Sequence, residues 1–91
     1  MGQVGETIRN KLTEAFSPQR LEVTDDSAKH AGHAGARPGG ESHFNVVIVS
    51  AAFEGASRVQ RQRSIYAALA QELAGPVHAL SVKALAPAEQ G

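Results

Sequence analysis

The chain has 91 residues, enough for one modest core, at a size where only about 60–65% of the unfolded surface becomes buried. Nine Lys and Arg residues balance nine Asp and Glu residues, which excludes a global field favouring nucleic acid or an anionic membrane and leaves such partners to local patches. The sequence contains no cysteine, so disulfides, thiol catalysis and any thiolate metal site built from this chain alone are excluded.

The opening residues lack a secretory signal pattern, and MGQVGE places Glu6 where a myristoylation signal needs Ser or Thr. No apolar run approaches the roughly 18–20 residues that span a bilayer. The expectation is a single soluble, cytoplasmic domain over residues 1–91 with no membrane partner.

In GQVGETIRNKLTEAF, Val4, Ile8, Leu12, Ala15 and Phe16 line one face of a helix, which Pro18 ends. LEVT, residues 21–24, alternates apolar and polar residues and predicts a short strand, with DDS after it as a turn. A long loop follows, about residues 28–42, rich in glycine (Gly32, Gly35, Gly39, Gly40) and broken by Pro38. Loops of that length in compact domains are functional or disordered more often than they are plain hairpin connections. HFNVVIVS, residues 43–50, is the strongest strand signal, with Phe44, Val46 and Ile48 on one face. A short helical turn fits residues 51–54.

Ser57 with Gln60 forms a capping-box pattern, and Val59, Gln62, Tyr66, Leu69 and Leu73, supported by Ile65, follow helical spacing to about Ala74. Gly75 and Pro76 stop that helix. VHALSVKAL, residues 77–85, predicts the last strand, with His78, Leu80, Val82 and Ala84 sharing a face, and the tail from Ala86 is expected to fray. The fold class is α+β: a two-layer sandwich with a three-stranded mixed sheet and helices on one face, in the order α-β-β-α-(short α)-β. The long link through the second helix permits a parallel crossover.

Two groups of side chains could carry chemistry. His30, His33 and His43 flank the glycine loop and His78 opens the last strand. Neutral imidazoles ligate zinc, iron and copper, and a loop and a strand end can converge at one sheet edge. The plainer reading makes His30 and His33 solvated and His78 a partly buried strand residue. Arg58, Arg61 and Arg63 crowd the first turns of the second helix, where cations oppose the macrodipole and invite an anionic partner. The plainer reading there is a solvated basic face. Gln62, on the apolar stripe, needs a hydrogen-bond partner. No nucleophile–base pair, Walker loop or paired-acid constellation stands out.

The ordered series LEVTDDS, SHFNVVIVSAAFEG, SRVQRQRSIYAALAQEL and GPVHAL resembles the BolA family over about residues 8–87. That resemblance implies a class II KH-like fold and a non-enzymatic adaptor that partners a monothiol glutaredoxin in iron–sulfur cluster trafficking or iron regulation. A 2Fe-2S cluster is then shared with glutaredoxin cysteine and glutathione, and none is held by the isolated chain. The implied ligands are His78, in the VHAL motif, and a loop residue: His30 by its spacing from DDS, with His33 the alternative. His43, in SHF, is expected to be structural. The family often has histidine where this chain has Gln62, so a role for that histidine does not carry over. A DNA-binding transcriptional regulator, an activity also attributed to some BolA proteins, is the alternative, with Arg58, Arg61 and Arg63 as contacts. The oligomeric state of the apo form is left open, a homodimer included.

Overall fold

The computed structural model describes residues 2–26 and 43–89. Helix α1 (Gln3–Phe16) is followed by strands β1 (Arg20–Asp25) and β2 (His43–Val49). A 3-10 turn (Ala51–Phe53), helices α2 (Arg58–Ala68) and α3 (Ala70–Ala74), strand β3 (Ala79–Leu85) and a final 3-10 turn (Pro87–Glu89) complete the chain. Residues 27–42, which hold His30 and His33 and the expected loop, lie outside the described residues.

The sheet order is β1-β2-β3, with β1–β2 antiparallel and β2–β3 parallel. This is the mixed α+β architecture that the alternation of apolar residues predicts. Because side chains alternate along a strand, the two registers stack three apolar rows across the sheet. Val23 lies opposite Val46 and Val46 opposite Val82. Leu21, Ile48 and Ala84 form a second row, and Phe44 with Leu80 a third. These rows meet Ile8 and Leu12 of α1, Ile65 of α2, and Phe53 in one core. Ala15, placed on the apolar face by its spacing, is exposed.

Local chemistry explains the corners. Ser17 caps α1 in the left-handed region, φ 45°, and donates its N–H to the Thr13 carbonyl before Pro18 forbids continuation. Buried Ser50 joins three elements: its Oγ donates to the Phe16 carbonyl at 2.6 Å and accepts from the Ala52 N–H, while its own N–H donates to the Leu85 carbonyl. Gly55 turns the chain at φ +77°, a backbone that a β-carbon would strain. The expected capping box is present, with the Gln60 N–H on Ser57 Oγ and the Ser57 N–H on Gln60 Oε1.

Three details depart from the sequence reading. The helix over residues 57–74 is divided at Leu69, whose φ of −106° and ψ of 21° separate α2 from α3. The chain does not fray at Ala86, which is buried. Its N–H donates to Glu89 Oε1, and Arg61 Nη1 holds the same oxygen at 2.6 Å. Finally, the inward-facing stripe of α2 runs through Arg61 and Ile65 to its C-cap Leu69, whereas Val59 is 56% exposed and Gln62 is exposed.

Candidate functional site

The entrances of the two parallel strands lie side by side, since the register places His43 opposite Ala79, the residue after His78. The imidazoles of His43 and His78 lie near each other, with 6.4 Å between ring centroids and 25° between planes. His78 is exposed and His43 half-buried. His43 was expected to be structural; the register makes it the immediate neighbour of the predicted ligand. Sequence alone lacks that information, because the pairing of two parallel strands is a long-range fact.

Each histidine sits on a defined backbone. The His43 carbonyl accepts the Asp26 N–H at 2.8 Å, which closes the end of the β1–β2 ladder. His78 follows Val77, a core residue only 3% exposed. The Glu72 carbonyl accepts the N–H groups of both Gly75 and Val77, at 3.2 and 2.9 Å, so α3 holds the turn that delivers His78. Glu72 is itself tied to α1 by an ion pair with Lys11 at 2.9 Å. On the far side of β3, Tyr66 Oη donates to the Leu80 carbonyl at 3.2 Å and accepts from Gln62 Nε2 at 3.1 Å. Gln62 thus finds the partner its amide requires, but on the surface.

The three arginines have different fates. Arg61 is folded inward, with its side chain 12% exposed. It donates to the Ala56 and Ala84 carbonyls and to Glu89. This guanidinium is committed to the fold. Arg58 and Arg63 are exposed. Arg58 joins Gln62, Val82, Lys83, Ala84 and Leu85 around a groove of about 320 Å³ between α2 and β3, a basic feature in which Lys83 escaped the sequence reading. The Leu85 carbonyl points to β2, toward Ser50. Leu80 and Ala84, of the opposite parity, therefore turn their carbonyls to the free edge, where Tyr66 and Arg61 cover them. Covering edge-strand carbonyls in this way discourages unwanted strand pairing.

Among the described residues, no group of three or more His, Cys, Asp or Glu side chains stands close enough to hold a metal ion. Nor is any described helix long and apolar enough to cross a membrane. The described donor set is two imidazoles without sulfur. The exposed His78 imidazole would fit one histidine position of a mixed-ligand iron–sulfur site, whose thiolates would have to come from elsewhere.

The fold and this edge define a small α+β domain with an exposed imidazole, His78, beside a half-buried one, His43, and no thiolate of its own. The family profile described as BolA-like protein matches residues 12–89, and the chain belongs to the BolA-like family. It is 52% identical over 91 residues to BolA-like protein 1 of Pongo abelii, covering all of this chain and 64% of that one. It therefore spans just under two thirds of that relative's length. Against the DNA-binding transcriptional regulator BolA of Escherichia coli it is 47% identical over 79 residues, covering 87% of this chain and 71% of that one. The solved BolA domain of SufE1 from Arabidopsis thaliana has a TM-score of 0.88 and 49% identity, over 98% of each chain.

Proposed function

We propose that this protein is a non-enzymatic adaptor that binds a monothiol glutaredoxin and shares a bridging 2Fe-2S cluster with it, in cluster trafficking or iron regulation. His78 is one ligand and a loop histidine, His30 with His33 as the alternative, is the other. The supporting observation is the exposed His78 imidazole, delivered to the sheet edge by buried Val77 and the Glu72 carbonyl. Such a side chain has a fixed backbone and an accessible ring, as a ligand offered to another protein requires.

The cysteine-free composition fits the same reading. When bound, the cluster supplies the iron chemistry, and the thiolates come from glutaredoxin and glutathione. The chain's own contribution is histidine, which raises the cluster potential relative to thiolate ligation and makes the bond sensitive to protons. Shared and labile ligation suits delivery or sensing.

The test is anaerobic reconstitution of this chain with a monothiol glutaredoxin and glutathione, read by visible circular dichroism for wild type and His78→Ala. The expected result is a heterodimer spectrum distinct from that of the glutaredoxin homodimer and lost in the variant. An unchanged spectrum in His78→Ala removes His78 from the ligand set, and the absence of any heterodimer spectrum removes the function.

A second reading has its own support: the E. coli relative is named a DNA-binding transcriptional regulator, and the α2–β3 groove carries Arg58 and Lys83. DNA affinity through these cations and Arg63 would fall steeply with salt. Binding that is equally weak at low and moderate salt eliminates this reading.

A further inference from the structure

His43 and His78 have a relationship that cluster sharing does not use. Two imidazoles from the entrances of adjacent parallel strands stand 6.4 Å apart between ring centroids. A metal bound at about 2.0–2.1 Å to one nitrogen of each ring lies roughly 3 Å from each centroid, so two chelating rings sit about 5–6 Å apart. The observed 6.4 Å is longer than this spacing, so chelation requires the two side chains to turn about their χ angles.

We infer that His43 and His78 form a two-imidazole chelate for a borderline divalent transition-metal ion such as Zn²⁺, held by this chain without a partner. Imidazole is the ligand type that suits zinc, copper and nickel. Both backbones are set before the metal arrives: His43 by the β1–β2 ladder, His78 by Val77 and the Glu72 carbonyl. Little chain ordering then opposes binding. Two protein ligands leave the other coordination positions to water or to a donor from another molecule, so the ion is exchangeable rather than structural. Occupation uses the His78 ring and therefore competes with any other ligand role of that residue.

The test titrates the tag-free, metal-free chain with Zn²⁺ by calorimetry, with ¹H–¹⁵N spectra recorded at each step and no glutaredoxin or cluster present. Wild type should bind one ion per chain, with the largest shifts at His43, His78 and Ala79. His43→Ala, His43→Gln and His78→Ala should each weaken binding about tenfold or more, as losing a ligand does at least as much damage as losing a supporting contact. The double variant His30→Ala/His33→Ala should bind within about twofold of wild type. Far-ultraviolet circular dichroism confirms that each variant is folded, and the Gln variant keeps the polarity of His43. The inference is overturned if wild type takes up no zinc at millimolar concentration, if the His43 variants bind as wild type does, or if affinity follows His30 and His33 instead. The assay contains neither partner nor cluster, so its failure leaves the proposed adaptor function standing.

Discussion

His78 lies 6.4 Å from His43, ring centroid to ring centroid, yet its own side chain is exposed and contributes no core contact. Replacing it should therefore cost the fold little. His78→Ala is expected to leave the urea-unfolding free energy within about 0.5 kcal/mol of wild type, the ordinary range for a surface change. A loss of several kcal/mol would show that this imidazole is structural, and its variants could no longer be read as loss of a ligand.

Val77 predicts the opposite pattern. It is packed in the core and its N–H is held by the Glu72 carbonyl. Val77→Ala removes two buried carbon groups and should destabilise the protein by about 1.5–3 kcal/mol, measured by urea unfolding. Because the same residue anchors the turn before His78, hydrogen exchange at the amides of residues 77–79 should accelerate more than that at β2. Uniform acceleration through the sheet would mean that the turn has no independent anchor.

How legible this was in the sequence differs by element. The strands were readable because Val46, Ile48, Val82 and their neighbours alternate in a two-residue period that a half-buried sheet requires. The ends of α1 and α2 were readable because Pro18 and the Ser57–Gln60 capping box act locally. The face of α2 was readable only in part: Ile65, Tyr66 and Leu69, with Leu73 of α3, do meet the core, but the first turns were misplaced. Its core stripe passes through Arg61, whose long apolar stem fills an inward position while its charged end reaches carbonyls, and Val59 sits outside. A hydropathy pattern scores both residues wrongly, so the deduced stripe was rotated toward Gln62. Spacing alone did offer a signal, since 61, 65 and 69 recur every four residues. Neither the His43–His78 pairing nor the role of Glu72 had a local signal, because each depends on which strand or turn the chain meets after folding.

The arginines can be separated by experiment. Arg61 donates to two backbone carbonyls, Ala56 and Ala84, and its side chain is largely buried. Arg61→Ala should destabilise the fold by about 1–3 kcal/mol, mostly from the carbonyls left without their charged donor rather than from the half-exposed Glu89 pairing. Arg58→Ala and Arg63→Ala, both at exposed positions, should stay within about 0.5 kcal/mol. If this protein binds DNA through α2, the exposed pair should lower affinity and flatten its salt dependence at unchanged stability. Equal stability losses at all three positions would contradict the inward placement of Arg61.

The last turn should respond to acid. The Glu89 carboxyl is held below the usual carboxylate range, first by the hydrogen bond from Arg61, then by the Ala86 N–H and the nearby guanidinium charge, with desolvation opposing them. A carboxylate whose value is depressed in the folded state binds its proton less readily there than in the unfolded chain. Its contribution is therefore complete above the ordinary glutamate value of about 4.3, and is lost as pH falls through the lower folded value. Across that acidic window the Ala86 amide resonance should shift and its hydrogen exchange, normalised for intrinsic rate, should lose protection as the turn of residues 87–89 detaches from Arg61. Glu89→Gln should abolish the pH-dependent step at Ala86 while leaving the amides of β2 unaffected. An Ala86 profile in the Gln variant that matches wild type would assign the transition to another group and remove Glu89 as the clasp of this turn.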